Sequence, residues 1–299
     1  MKKVGYYFIY SLAWLVSLLP FRVLYLLSDL LYLLLRYVIP YRKKIVYDNL
    51  RHAFPEKTPE QIQTILRKFY AHFCDTLVES IKMTTVSSET MQSRIRFADE
   101  DMLWECYRQE KQLMILMGHY GNWEWLASLA KTPVPYHFMT VYKPLENKSF
   151  DHLMIRLRTR FGTEAVPMQR VFRNVAGKIR SKQYSIMCFI ADQNPDGTSL
   201  RHWIPFFHSE VPVLVGAEKI ARHHGLTVGF LHLEKIKRGH YLAHVDWLAE
   251  NAAECSENPE YLLTERYIRK LEERIREKPE YWLWTHRRWK HKKNISSCI

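Results

Sequence analysis

The apolar run Leu113-Met114-Ile115-Leu116-Met117 leads directly into Gly118-His119-Tyr120-Gly121-Asn122-Trp123-Glu124. A short run without polar residues, closed by turn-forming Gly and Asn, suits a strand buried on both faces. Trp123–Ala130 then has the makings of a helix, with Asn122 at its N-cap. A histidine on such a strand-to-helix turn is held rigidly from behind and open in front. An acid in the next turn, here Glu124, can reach back to one ring nitrogen, fix the tautomer and stabilise the imidazolium. That is a base and its orienting acid without a protein nucleophile. The nucleophile would come from the substrate, most simply as a hydroxyl. The competing reading is a satisfied polar histidine and a first-turn acid that suits the helix dipole. The spacing alone favours that reading; the flanking glycines, the asparagine and the preceding strand favour a site.

The pattern around this segment alternates strand and helix. Strands are expected at Leu113–Met117, His137–Tyr142, Ala165–Met168 and Tyr184–Ile190. Helices are expected at Phe150–Phe161 and Arg170–Ser181. This predicts an α/β fold with a mainly parallel sheet flanked by helices. Val211–His224 is expected to be helical, Leu226–Leu233 and His240–Trp247 to form a β pair, and Asn258–Lys278 to be a charged amphipathic helix. Thr58-Pro59-Glu60-Gln61 reads as a capping box with proline in the first turn. The stripe Ile62, Ile65, Leu66, Phe69, Phe73 and Leu77 marks a core-facing helix.

The N-terminus is different in kind. Val4 to Phe21 carries no charge, and Val23 to Leu35 is Leu- and Tyr-rich with one acid, Asp29. Lys2 and Lys3 precede this block and Arg42, Lys43 and Lys44 follow it. The expectation is a membrane-anchoring helical segment over residues 1–45 and a catalytic domain over 46–299. Basic flanks at both ends place both on the cytoplasmic side. A hairpin bent near Pro20, an interfacial anchor and a single span all fit. The net charge of +13 implies an acidic partner, such as anionic lipid or an acidic carrier protein. No finger spacing or RNA-binding strand motif accompanies it, so nucleic acid is not expected. Five scattered cysteines without a Cys-x-x-Cys pair read as free thiols. The histidines show no ligand spacing, so no metal is expected.

The motif as a whole resembles the His-x4-Glu signature of the lipid A (lauroyl/myristoyl-type) acyltransferases, within the lysophospholipid and glycerol-phosphate acyltransferase superfamily. Val141-Tyr142-Lys143-Pro144-Leu145, Asp151 and Arg158-Thr159-Arg160-Phe161-Gly162 resemble the family's second block, and Ala191-Asp192-Gln193 its third. Pro205-Phe206-Phe207, Val213 to Ala221 and Gly225 resemble the fourth. Pro279 to Lys290 is similar to the closing signature. The resemblance implies an O-acyltransferase of the bacterial inner membrane, with its catalytic domain on the cytoplasmic face. It implies transfer of a fatty acyl chain from an acyl carrier protein thioester to a hydroxyl of a lipid A precursor, without a cofactor. It makes His119 the general base, Glu124 its orienting acid, and Arg158, Arg160, Asn122, Asp192 and Gln193 the substrate-binding set. Other glycolipids or lysophospholipids are alternative acceptors, and a non-catalytic binder of anionic lipid is the alternative from another class. Trp282, Trp284 and Trp289, with the basic residues among them, either meet lipid headgroups or pack back on the domain.

Overall fold

The computed structural model describes residues 2–195, 202–255 and 260–294. The N-terminal block forms two helices, α1 (Lys2–Leu18) and α2 (Phe21–Tyr37), broken at Leu19-Pro20. Proline disfavours helical geometry in the residue before it and has no N–H to continue the ladder. Among the described residues no helix is long and apolar enough to cross a membrane. The single-span option therefore has no support in the structure. The two helices instead lie against the rest of the chain. Ser28 Oγ donates to Asp75 Oδ1 at 2.8 Å and Tyr25 OH to Glu79 Oε1 at 2.9 Å. Lys82 Nζ donates to the carbonyls of Ser17 and Leu19, at 2.7 and 2.8 Å, where the break leaves them without helical partners. Their outward faces remain apolar, with Leu15, Leu26 and Leu30 more than half exposed.

Helices α3 (Lys43–Ala53) and α4 (Pro59–Lys82) follow. The capping box of α4 is present in both directions, Thr58 N to Gln61 Oε1 at 2.9 Å and Gln61 N to Thr58 Oγ1 at 3.3 Å. After α5 (Ser88–Gln92), β1 (Ile95–Phe97) and α6 (Glu100–Arg108), the predicted strand appears as β2 (Leu113–Met117), buried at every position. The remaining elements are β3 (His137–Tyr142), α7 (Lys148–Thr159), β4 (Glu164–Pro167), α8 (Val171–Arg180), β5 (Ser185–Ile190), β6 (Trp203–Phe206), β7 (Ser209–Pro212), α9 (Gly216–His224), β8 (Thr227–Lys237), β9 (His240–Ala249), α10 (Leu262–Glu277) and β10 (Lys293–Asn294).

Seven strands form one sheet in the order β1-β9-β8-β2-β5-β3-β4. Every pairing is parallel except β8 with β9. That confirms a mainly parallel sheet, and the expected β pair forms as its one antiparallel pairing. A small antiparallel sheet, β10-β7-β6, stands apart. The expected helix over Val211–His224 shortens to α9, because Val211 and Pro212 pair with β6. Residues 258 and 259 of the expected last helix lie outside the described residues.

Two core layers cover the sheet. On one face, Met114, Leu116 and Phe230 meet Leu263, Tyr267 and Leu271 of α10 and the aromatic residues Trp282, Trp284 and Trp289. On the other, Ile115 and Met117 meet Trp125, Leu129 and Phe138. Trp282, Trp284 and Trp289 are all buried, so the closing signature packs back on the domain rather than facing lipid.

Candidate active site

Strand order makes the site. β2 and β5 are distant in sequence but adjacent and parallel, with Met117 opposite Ile190. Two residues beyond each strand end stand His119 and Asp192, so the pairing register carries both side chains to one edge. Ligands gather at the carboxyl edge in open α/β sheets. His119 Nδ1 lies 2.6 Å from Asp192 Oδ1, and the His119 backbone N–H donates to Asp192 Oδ2 at 2.9 Å. Trp282 Nε1 donates to the same Oδ2 at 2.8 Å. Burial would raise the Asp192 carboxyl, but the His119 ring, the His119 backbone N–H and the Trp282 indole together hold it down at about 2. A buried carboxylate with these donors fixes the ring proton on Nδ1. Nε2 then carries the lone pair, and the Gln193 amide nitrogen lies 3.2 Å from it.

The turn is built to allow this approach. A Cβ on Gly118 would lie 2.8 Å from Leu271 Cδ1 and 3.2 Å from Asp192 Oδ2. Gly121 has φ +67°, and a Cβ there would meet Leu233 Cβ at 2.9 Å, so Gly121 excludes a larger residue, whereas one at Gly118 would have to displace the Leu271 methyls. The closing segment holds the turn from outside. Leu283 N donates to His119 O at 3.0 Å and Gly121 N to Tyr281 O at 2.9 Å. Beneath the turn lies Glu79, fully buried on α4, which the sequence reading did not single out. It accepts from Asn122 Nδ2 at 2.6 Å and from the hydroxyls of Tyr25 and Tyr241, each at 2.9 Å. Its backbone carbonyl accepts from Trp125 Nε1 at 2.9 Å.

Glu124 is not the partner of the imidazole, which corrects the expected His119–Glu124 contact. The segment after the turn is a 3-10 helix over Trp125–Lys131 rather than an α-helix from Trp123, and it directs the Glu124 side chain toward α7. There Arg158 clamps it with Nε to Oε2 at 2.9 Å and Nη2 to Oε1 at 2.7 Å. A two-point guanidinium–carboxylate pair at 23% and 11% exposure outcompetes a reach to a ring nitrogen that Asp192 already occupies. Asn122 is fully buried, with Oδ1 receiving Trp125 N at 3.2 Å, so it shapes the turn rather than facing a ligand. Arg160 turns away from His119, donating to Val86 O at 2.5 Å and stacking on Phe161. Of the expected site residues, the structure brings together His119, Glu124, Arg158 and Gln193 around one cavity, with Asp192 behind the imidazole.

That cavity has a volume of about 710 Å³. His119, Glu124, Arg158 and Gln193 provide its polar wall, and Leu126, Phe138, Val141, Ile190, Leu214 and Ile220 much of its apolar wall. Drug-sized clefts with an apolar lining and a few convergent polar groups are the usual form of a small-ligand site. A ring nitrogen able to accept a proton therefore faces space of the right character for an apolar chain. Residues 196 and 197, which close the predicted Asp-Gln-Asn-Pro-Asp-Gly turn, lie outside the described residues. Cys74, Cys106, Cys188 and Cys255 are free thiols, and Cys298 lies outside the described residues. No group of three metal-capable side chains converges among the described residues.

The signal that could have separated the two acids was in the sequence: Asp192 follows a strand end at the same offset as His119. What was missing was the adjacency of those strands. No curated protein matches this chain. A family comparison does match, and it spans residues 1–291. With the imidazole-carboxylate pair at the sheet edge, the apolar cavity before it and that match, the chain belongs to the bacterial lipid A biosynthesis acyltransferase family.

Proposed function

We propose that this chain transfers a fatty acyl group from an acyl carrier protein thioester to a hydroxyl of a lipid A precursor, with His119 as general base and Asp192 as the acid behind it. One observation carries the reading: the His119 ring is anchored at Nδ1 by a buried carboxylate while Nε2 faces the apolar-lined cavity. The acceptor hydroxyl displaces the Gln193 amide from Nε2 and gives its proton to that nitrogen as its oxygen attacks the thioester carbonyl carbon. Asp192 offsets the charge on the imidazolium. When the tetrahedral adduct collapses, the carbon–sulfur bond breaks and the thiolate takes the proton from Nε2, returning the base to its starting state. Arg158, held in place by Glu124, adds positive potential where negative charge develops on the carbonyl oxygen. The acyl chain occupies the apolar wall.

The same reading places the protein at the cytoplasmic face of a bacterial inner membrane. The outward apolar faces of α1 and α2 support an attachment in the plane of one leaflet. Lys43 and Lys44, at the start of α3, suit anionic headgroups.

The test is turnover of a carrier-borne acyl thioester with a lipid A precursor. His119→Ala should lose about 10²–10⁴-fold in kcat, the usual worth of a positioned base, while its circular dichroism melt stays within error of the parent. Parent-like turnover by that variant would refute the assignment.

A further inference from the structure

A second cleft opens beside the catalytic cavity and is made of different chemistry. It has a volume of about 440 Å³ and is lined by Arg42, Arg287, Lys290 and His291, and by Asn194, Pro195 and His286. Among the described residues no carboxylate lines it. The last three residues line the catalytic cavity as well, so the two spaces are continuous. Asn194 follows Gln193, whose amide meets His119.

The cleft is constructed, not a chance meeting of surface cations. Arg42 stands in left-handed geometry, φ +50°, at the start of α3. That conformation is unfavourable for a non-glycine residue, and it lets Nη1 reach Thr285 O at 3.0 Å. Asn49 Nδ2 holds the carbonyls of Trp284 and His286, at 2.8 and 2.7 Å. Asn194 joins the opposite wall, donating from Nδ2 to Arg287 O at 2.8 Å and from its backbone N–H to His286 Nε2 at 3.3 Å. Behind Asn194 lies Arg288, a guanidinium with no solvent exposure. Its Nη1 donates to Asn194 Oδ1 and to Pro212 O at 2.5 and 2.9 Å, while Nε and Nη2 have no hydrogen-bond partner. The carboxylate whose charge reaches it is Asp192, which is already engaged by His119. Desolvating a cation without a paired anion is expensive, and its field adds to that of Arg42, Arg287 and Lys290 at the cleft. Low-dielectric walls focus such a field on whatever enters.

Building on the acyl-transfer reading, we propose that this cleft binds a phosphate group of one of the two reactants and thereby sets the reacting hydroxyl and thioester beside His119. Guanidinium and ammonium groups around a concave wall match the non-bridging oxygens of a phosphate group, and no carboxylate among the described residues of the lining competes for them. Two phosphates could fill it: one on the sugar of the acceptor, or the phosphodiester of the carrier's thiol arm. Both demand the same chemistry.

The test uses the full chain in detergent and the variants Arg287→Gln, Lys290→Gln and their combination, whose side chains are exposed. KM is measured in four combinations: a phosphorylated acylated glucosamine disaccharide or its dephosphorylated twin as acceptor, and the carrier-borne thioester or the same acyl group on N-acetylcysteamine as donor. The double variant should raise KM about tenfold or more for the substrate that brings the phosphate, the scale expected for losing two charged hydrogen bonds at a partly exposed site. If the acceptor's phosphate is the ligand, the effect vanishes with the dephosphorylated disaccharide. If the carrier's arm is the ligand, it vanishes with the short thioester. An unchanged KM in all four combinations overturns the proposal, and so does an equal rise in all four. Calorimetric titration of parent and double variant with the phosphorylated disaccharide and with inorganic phosphate reads binding without turnover. A failed base assignment at His119 therefore leaves this result interpretable, and the reverse holds.

Discussion

Replacing Asp192 by Asn separates the acid that contacts His119 from the acid that the motif spacing first suggests. The carboxylate receives the His119 ring, the His119 backbone N–H and the Trp282 indole. An amide offers one oxygen in place of two and turns an N–H toward one of these donors. A carboxyl held at about 2 against an ordinary 3.8 gains roughly 2 kcal/mol of folding stability at neutral pH. The sign follows from the lowered value: this contribution is present above 3.8 and is lost as pH falls through about 2. Asp192→Asn should therefore melt earlier at pH 7 by an amount worth roughly 2 kcal/mol. In turnover it should lose about 10²–10⁴-fold, because the base is left without its fixed tautomer. The deciding assay is a double-mutant cycle with His119→Ala. Groups that act as one unit are strongly non-additive. Once His119 is gone, Asp192→Asn should change kcat by no more than about twofold, against the full loss in the parent. Glu124→Gln, which breaks the clamp on Arg158, should retain its own cost in the His119→Ala background. If the Asp192 and His119 losses multiply, or if Glu124→Gln is the non-additive change, the pairing argued here is wrong.

Two further outcomes follow from surfaces and buried charges. The parent chain should float with vesicles of anionic phospholipid, and Leu15→Ser, Leu26→Ser and Leu30→Ser combined should shift it to the pellet-free soluble fraction; equal flotation of both would refute the in-plane attachment. Burial holds His72 down at about 3 and His232 and His286 at about 4, so each binds its proton more readily unfolded. The stability they contribute is complete above 6.5 and is lost as pH falls through about 4 for His232 and His286 and about 3 for His72, and replacing His72 by Gln should flatten the denaturant midpoint between 6.5 and about 3. Burial beside Asp75 raises Glu79 to about 7, which acts in the opposite sense: its contribution is complete below 4.5 and is lost as pH rises through 7.

Local signals were readable because they depend on neighbours along the chain. The strand Leu113–Met117 and the box Thr58–Gln61 fall where the sequence places them, the first from an unbroken apolar run and the second from two reciprocal side-chain bonds. The residues after Asn122 were misread as α-helix, because nothing in their composition reports that Glu79, at the far end of α4, binds Asn122 and Trp125 and tightens the turn. The tryptophans of the closing segment were ambiguous between lipid and core for a related reason. An aromatic residue beside arginine looks alike in both settings until a partner such as Asp192 receives its indole N–H.

By itself, then, the sequence determined an α/β alternation, an imidazole on a rigid turn after a buried strand, and an apolar N-terminus. Which acid meets that imidazole was decided only in three dimensions. Side-chain reach along the chain favours Glu124, but the order β8-β2-β5 brings Asp192 level with His119 and leaves Glu124 to Arg158. Strand order is a long-range outcome of burying two faces of one sheet at once, and no local spacing encodes it.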